Sequence, residues 1–294
     1  MLEWDVTNLR SSAASSLGEV RLKAGRYSVA FLGRSGESFQ NGSFLRLRRP
    51  DSAMMYPENT TKNRILDCLS DNDFDVIEPY LENVELAFRK RLQSSGRIIE
   101  MVYFPDSGLG SVVALGRGRD AQAEVALVGN EGMTGLAVVN GTDRSPHEIF
   151  IQAEGHGRQI SSANLREAMQ RSATMQESFL LYSQAFTLQC SYTALANAKG
   201  SLEQRLARWL LMAQDRLETP QLVLTHEFLA LMLGVRRAGV TTALQHLQKI
   251  GLTRGDRGAV TILDRDGLEE TADGLYGPAE AEYERLFATR LKPR

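Results

Sequence analysis

The stretch from Thr225 to Asp264 constrains the fold of this chain most, because two helical patterns and a hairpin pattern follow one another within it. Thr225 is a favourable N-cap, and Glu227 stands in the first turn, where the helix dipole favours a negative charge. Gly234 permits a sharp turn after this helix, since glycine tolerates positive φ. The inner face of the first helix is apolar and consists of Phe228, Leu229, Met232 and Leu233.

The second helix of this stretch has one apolar and one polar face. Its apolar residues recur at steps of three and four and stop at Gly251, a glycine of the kind that ends helices. They are Val240, Ala243, Leu244, Leu247 and Ile250. The opposite face can donate hydrogen bonds to base edges or phosphates, and it carries Arg236, Arg237, Thr241, Thr242, Gln245, His246 and Lys249.

Two short strands are predicted next, over 252–254 and 259–263, with a turn over 255–258 between them. The whole pattern is that of a winged helix-turn-helix, which places one helix in a DNA major groove. Arg254 and Arg257 on the wing would reach the DNA backbone. The alternative is a pair of amphipathic core helices with a solvated polar face. Residues 225–263 hold five Lys/Arg against two Asp/Glu in a chain of net charge −2, which favours the nucleic-acid interpretation.

The composition of the 294 residues is that of a soluble globular protein with room for two domains. No apolar run is long enough for a membrane span, and no signal peptide is evident. Two cysteines, Cys68 and Cys190, are too few for a disulfide framework and fit a reducing cytoplasm. Residues 1–60 are rich in Ser, Gly and Arg and have weak periodicity. We interpret them as a disordered or non-native extension, with Met54 or Met55 as a candidate natural start.

The middle of the chain changes from a helical to a β pattern. Residues 63–86 have helical periodicity, with Ser70 as an N-cap. Between Gly96 and Gly157 lie 11 of the 25 glycines, with short β-rich runs at 98–104, 111–115, 123–128 and 148–152. Short strands separated by glycine turns indicate a β-barrel or jelly roll.

A long helix is predicted over Thr174 to Lys199. Five of its residues follow the spacing of a coiled-coil seam and form the predicted homodimer interface: Leu181, Ala185, Leu188, Tyr192 and Leu195. The alternative is a helix packed entirely within its own chain. Gly200 ends this helix, and the sequence from Ser201 to Gln204 offers a capping box for the next one.

The order of these elements resembles the Crp/Fnr family of bacterial transcription regulators. Four segments carry the resemblance: V-Y-F-P-D-S-G at 102–108, V-G-N-E-G at 128–132, E-Q-R-L-A-R-W-L-L at 203–211, and L-T-H-E-F-L-A with L-G-V-R-R within 224–237. The resemblance implies an α+β protein. Its parts are a jelly-roll sensor domain related to cyclic-nucleotide-binding domains (61–172), a dimerisation helix (173–199), a winged helix-turn-helix domain (200–270) and a C-terminal tail (271–294).

The resemblance also implies partners and site residues. The partners are double-stranded DNA, a second copy of the chain and an unidentified small-molecule effector, with RNA polymerase as a further candidate. An Arg near the start of the recognition helix contacts guanine in the family, and Arg237 takes that place here, whereas Ala238 and Thr242 depart from the best-known members. The predicted DNA-binding residues are Thr225, Arg236, Arg237, Gly239, Thr241, Thr242, Gln245, His246, Lys249, Arg254 and Arg257.

The predicted effector residues are Gly135, Leu136, Ala137, Arg144 and Ser145. They match half of the family's nucleotide-binding cassette: the Arg-Ser pair that holds the cyclic phosphate is present, and the Glu that holds the ribose hydroxyl is absent. A cyclic nucleotide is therefore a doubtful cofactor, and the interpretation leaves the effector open. Two cysteines cannot hold an iron–sulfur cluster, and the histidines lack metal-ligand spacing.

Two rival function classes are weaker. An enzyme lacks the usual nucleophile, zinc and phosphate-loop motifs. The G-x-G-x-x-A match at 116–121 precedes a predicted strand instead of a helix, which favours a hairpin turn. An adaptor with a β-barrel ligand domain and no specific DNA target would not need the polar helix face that carries Arg236 and Arg237.

Overall fold

The computed structural model describes the backbone of residues 17–22 and 25–30, and residues 61–117, 121–256, 258–288 and 291. The chain divides into two units, residues 1–55 and 56–294. In the first, β1 (Leu17–Leu22) pairs antiparallel with β2 (Gly25–Ala30). The sequence did not predict this hairpin. Met54 and Met55 lie outside the described residues, so the proposed start site stays a prediction.

The second unit begins with two short helices, α1 (Arg64–Asp67) and α2 (Asp71–Ile77), and a 3-10 turn over Glu78–Tyr80. Ser70 caps α2 as expected, accepting a hydrogen bond from the Asp73 amide. The predicted extension of helix to residue 86 is wrong, because the chain turns at Pro79 and continues as a strand. Proline lacks the N–H that a continuing helix would use.

A jelly roll of two antiparallel sheets follows. One sheet has the order β3-β9-β5 and the other β4-β8-β6-β7. The strands are β3 (Glu82–Leu86), β4 (Arg91–Gln93), β5 (Met101–Pro105), β6 (Leu109–Leu115), β7 (Gln122–Val128), β8 (Glu148–Ala153) and β9 (Gly155–Ser161). β6 and β7 pair directly, and the amide of Gly116 donates to the carbonyl oxygen of Ala121, so the two strands form a hairpin, as predicted.

Strand β9 was not predicted, since its two glycines interrupt the alternation of apolar and polar residues. Glycine is required at Gly157, because a Cβ there would lie 2.3 Å from the carbonyl oxygen of Phe104 on the neighbouring strand. The glycines allow two backbones to approach closely, and for the same reason β9 lacks the alternating side-chain pattern from which a strand is normally predicted.

Three helices cover the jelly roll: α3 (Leu136–Val139), α4 (Ser162–Arg171) and α5 (Ala173–Lys199). The prediction of α5 is confirmed to within one residue. Ser172 caps it, and its hydroxyl accepts from the amide of Met175. The inner face of α5 packs on the barrel and comprises Met175, Phe179, Tyr182, Ala185, Gln189 and Ala196.

The C-terminal domain is a winged helix-turn-helix. It comprises α6 (Leu202–Leu217), β10 (Gln221–Val223), α7 (His226–Leu233), α8 (Arg237–Lys249), β11 (Thr253–Asp256), β12 (Ala259–Ile262) and α9 (Arg265–Ala272). The capping box at the start of α6 is confirmed by both of its hydrogen bonds, between Ser201 and Gln204. The sheet order is β10-β12-β11, and β10 was not predicted.

The segment expected to be a tail contains an ordered helix, α10 (Pro278–Phe287), which packs on α5. Tyr283 enters the core between the helices and donates its hydroxyl hydrogen to the carbonyl oxygen of Glu131, at 2.6 Å. α10 therefore joins the C-terminal end of the chain to α5 and the barrel. None of the helices in the described part of the chain is long and apolar enough to span a membrane.

Candidate nucleic-acid interface and ligand cavity

The turn between α7 and α8 is closed by backbone contacts. Gly234 adopts φ +62°, and the amide of Val235 donates to the carbonyl oxygen of Ala230 at 2.9 Å. Thr225 accepts a hydrogen bond from the amide of Phe228 at 3.2 Å, so it acts as the N-cap of α7. The apolar sides of both helices are buried, which leaves the opposite side of α8 facing outward.

Most of the predicted DNA-binding residues lie exposed on this outward side of α8 or at its start: Arg236, Arg237, Thr242, Gln245, His246 and Lys249. The side chain of Arg237 is 69% exposed, and the Nε of its guanidinium lies 4.0 Å from a carboxylate oxygen of Glu227. An exposed ion pair of this length is weak, so the interaction with Glu227 hardly hinders Arg237 from binding another group.

Two predicted residues of α8 are engaged inside the protein. The hydroxyl of Thr241 lies 3.0 Å from Nδ1 of His226 and donates to the carbonyl oxygen of Arg237. A Cβ on Gly239 would lie 3.1 Å from Cδ2 of Leu202, so this glycine allows α8 to approach α6 closely. Gly239 therefore has a packing role in the structure, where the sequence interpretation assigned it to DNA.

The wing places Arg254 at the surface, with Nε 3.6 Å from a carboxylate oxygen of Asp256. β11 extends through Asp256, two residues beyond the predicted strand, and β12 begins at Ala259 as predicted. Arg257 lies outside the described residues, and its assignment to DNA stays a prediction.

The outer face of α5 is the candidate dimer surface. No charged residue occurs between Glu177 and Lys199. Leu195 is 45% exposed, while the other predicted residues Leu181, Leu188 and Tyr192 are half-buried. Ala185 is only 5% exposed and packs in the core of its own chain, which contradicts its assignment to the dimer seam. The inner side of α5 is filled by the barrel and α10, and Leu180 is exposed on the outer side together with Leu195.

The five predicted effector residues come together around one cavity of about 510 Å³ between the barrel, α3 and α5. Gly135 takes φ +76° at the start of α3. Arg144 is exposed, and its Nη1 donates to the carbonyl oxygen of Gly96 at 3.1 Å. Ser145 is buried, and its hydroxyl donates to the carbonyl oxygen of His147 at 2.7 Å. Within the described residues, no three His, Cys, Asp or Glu side chains cluster as a metal site.

The winged helix-turn-helix domain packs on the barrel through α6. The sequence analysis did not predict this contact. The carboxylate of Glu131 pairs with the guanidinium of Arg216 at 2.8 Å, and both side chains are almost fully buried. A second carboxylate of the barrel, that of Glu124, accepts a hydrogen bond from the indole of Trp209. The sequence did not reveal that Glu124 is buried, because a single polar residue in a strand normally indicates the side of the strand that faces water.

Comparison with known proteins agrees with this architecture. Residues 204–271 match the model of the Crp-like helix-turn-helix domain. No curated protein is similar enough in sequence to match.

Solved structures of low sequence identity share the fold. FixK2 from Bradyrhizobium japonicum is 15% identical, with a TM-score of 0.57, over 65% of this chain and 96% of its own. CLP from Xanthomonas campestris, described as a c-di-GMP responsive global regulator, is 17% identical, with a TM-score of 0.55, over 66% and 99%. A CRP/FNR-family transcriptional regulator from Thermus thermophilus is 19% identical, with a TM-score of 0.53, over 66% and 99%.

The fold thus defines a protein with a jelly-roll domain, a long connecting helix and a Crp-like helix-turn-helix domain. The resemblance to the Crp/Fnr family of transcription regulators is confirmed, as is the predicted α+β architecture.

Proposed function

We propose that this protein is a sequence-specific transcription regulator that binds two-fold-symmetric promoter sites as a homodimer in the cytoplasm, under control of a small-molecule effector. RNA polymerase would be a further partner if the protein activates transcription. The observation that carries the proposal is the outward face of α8, where donors for bases and phosphates stand together on a helix whose other side is buried.

Electrostatics supports this role for α8. Arg236 and Arg237 lie at its N-terminal end, where the unpaired amides also favour a phosphate. Lys249 stands at the other end of the same face and can contact a phosphate farther along the groove. An Arg that reaches a guanine makes the commonest specific pairing, through O6 and N7. Arg237 is the residue of this face that we expect to read a base.

The uncharged outer face of α5 supports the homodimer. A surface helix that faces water along its whole length normally carries charged residues on that side. The absence of charge between Glu177 and Lys199, together with the exposure of Leu180 and Leu195, favours burial against a second copy. In such a dimer two recognition helices would enter successive major grooves about 34 Å apart.

The experiment is selection of genomic fragments by the purified full-length chain, without ligand and with cyclic AMP or cyclic di-GMP. We expect a palindromic motif, and a footprint that covers two half-sites. Weak binding that is independent of sequence under every condition would favour the adaptor function. A motif that appears only with one nucleotide would identify that nucleotide as the effector.

A variant pair makes the test specific to α8. Arg237→Ala removes the proposed base contact, and Arg171→Ala removes an exposed Arg of α4, on the sensor domain. We expect only the first variant to lose the motif. Equal loss in both variants would show that net charge, and not the recognition helix, governs binding.

A further inference from the structure

The cavity beside α5 has walls that are mostly apolar. Strands β6, β7 and β8 contribute one side, and α3 and α5 contribute the other. The apolar lining comprises Val112, Val125, Val128, Met133, Leu136, Ile149 and Phe186. Its volume of about 510 Å³ falls in the range of sites for small organic ligands.

One buried polar group of this cavity has no partner. Gln93 is 7% exposed, and its amide oxygen, at 3.1 Å, shares the single hydroxyl hydrogen of Ser145 with the carbonyl oxygen of His147. Its Nε2 makes no hydrogen bond in the structure. A buried donor without a partner costs free energy comparable to a lost hydrogen bond, so a ligand that accepts from Nε2 would be stabilised there.

The charge of the cavity is positive and comes from one residue. All of the lining residues are described, and Arg144 is the sole Asp, Glu, Lys or Arg among them. One hydrogen bond, from Nη1 to the carbonyl oxygen of Gly96, holds its exposed guanidinium, so further N–H donors are available to a ligand. Arg144 directly precedes Ser145, and Ser145 is hydrogen-bonded to Gln93. The guanidinium of Arg144 and the side-chain amide of Gln93 therefore lie at the same end of the cavity.

The other titratable groups of the lining are neutral at pH 7. Burial lowers the pKa of His147, so its imidazole is uncharged. Burial also raises the pKa of the Cys190 thiol to about 11, although Arg208 lowers it in part. An acidic ligand therefore meets no anion in the lining, and a cationic ligand would meet no counter-charge.

We propose that this cavity binds a small apolar acid. Its hydrocarbon or aromatic body lies against the apolar lining, and its carboxylate accepts hydrogen bonds from Arg144 and from Nε2 of Gln93. A cyclic nucleotide lacks one partner here, because no Asp or Glu among the lining residues can accept a hydrogen bond from its ribose hydroxyl.

The ligand would touch the helix that carries the candidate dimer surface. Ser183, Phe186, Thr187 and Cys190 line the cavity from α5, and Leu180 and Leu195 lie on the same helix toward the outside. Binding can therefore bias the position of α5 without any intermediate element. This regulatory consequence rests on the proposed function, whereas the binding site itself does not.

The test is calorimetric titration of the full-length chain with decanoate and naphthoate, with decanol as the uncharged counterpart, and with cyclic AMP. We expect at least one acid to bind about tenfold or more tightly than decanol, since a charge-assisted pair with Arg144 is lost in the alcohol. Arg144→Gln should remove this preference for the acid, and Arg171→Gln should retain it. Thermal unfolding of both variants checks that each is folded.

The proposal would be overturned if neither acid binds more tightly than decanol, or if Arg144→Gln binds the acid as well as the unmodified chain does. It would also be overturned if cyclic AMP displaces the bound acid at a concentration below that of the acid. DNA binding is measured separately on the selected fragments. A chain that selects a motif but binds no acid refutes the cavity proposal alone. A chain that binds the acid but selects no motif refutes the proposed function alone.

Discussion

The indole Nε1 of Trp209, on α6, donates a hydrogen bond to Oε1 of Glu124, on β7, over 2.5 Å. Glu124 is buried, and it also accepts from Nε2 of Gln152 at 2.9 Å and from the hydroxyl of Ser111. This carboxylate joins the barrel to the helix that begins the C-terminal domain. The contact between the two domains thus includes a buried polar network centred on Glu124, beside the buried ion pair of Glu131 with Arg216.

The stability of the protein should fall as pH rises between about 4.5 and 7. Burial raises the pKa of Glu124 to about 7, although the bonds from Ser111 and Trp209 lower it in part. The folded chain therefore keeps a proton that the unfolded chain has already lost in this range, and unfolding releases it. We expect a loss of about 2 kcal/mol in the free energy of unfolding between pH 5 and pH 8 from this group, measured by urea unfolding.

The test variant is Glu124→Gln, and the control is Glu100→Gln, because Glu100 is an exposed acid of the barrel domain. Glu124→Gln should flatten the pH dependence, because the amide cannot titrate. The buried Oε1 of Gln152 has no partner and could accept from the new amide after its own amide turns. The remaining slope would come from groups such as Asp215, whose pKa burial raises to about 6. An unchanged slope in Glu124→Gln would contradict this account.

Removing one member of the buried pair Glu131–Arg216 should destabilise the protein strongly. The two groups meet at 2.8 Å and are almost inaccessible to solvent. We expect Arg216→Met to cost about 3–5 kcal/mol, since it leaves a buried carboxylate without its partner. The double variant with Glu131→Gln should recover part of this loss in urea unfolding. A double variant as unstable as the sum of both single variants would show that the two charges do not interact.

Loss of the Tyr283 hydroxyl should loosen the C-terminal helix. Tyr283→Phe removes the bond to the carbonyl oxygen of Glu131 and leaves the ring in place. The expected cost is about 1 kcal/mol in the free energy of unfolding, with faster hydrogen exchange in α10. Exchange that is unchanged along residues 278–287 would mean that ring packing alone holds the helix.

A charge on the outer face of α5 should break the dimer and leave the fold intact. Leu195→Glu places a carboxylate on the candidate dimer surface, and Leu263→Glu is the matched control, because Leu263 is 54% exposed elsewhere. Sedimentation should show monomers for the first variant and dimers for the second. A dimeric Leu195→Glu chain would place the interface on another surface.

The sequence predicted best those elements whose residues report their surroundings directly. The periodicity of α7 and α8 defined the helix-turn-helix, and the Ser201 capping box set the start of α6. Sequence periodicity could not separate the two apolar sides of α5, so Ala185 was assigned to a partner although it packs in its own chain. Gly157 and Gly239 show the same limit: a glycine reveals a close approach, and only the structure shows what approaches.

The cavity illustrates the other limit. The residue pair Arg144-Ser145 was visible in the sequence, but the unpartnered amide of Gln93 and the apolar wall depend on strands that are distant along the chain. The interdomain bond between Glu124 and Trp209 was equally hidden, because 85 residues separate its two members.

The most direct test of the central claim compares the affinity of the unmodified chain and of Arg237→Ala for a selected site, and for the same site with its half-site guanines replaced. The account predicts that Arg237→Ala weakens binding to the selected site by about 1–3 kcal/mol and no longer distinguishes the two sites. Equal affinity of both proteins for the selected site, with base preference retained, would contradict the assignment of α8 as the helix that reads DNA.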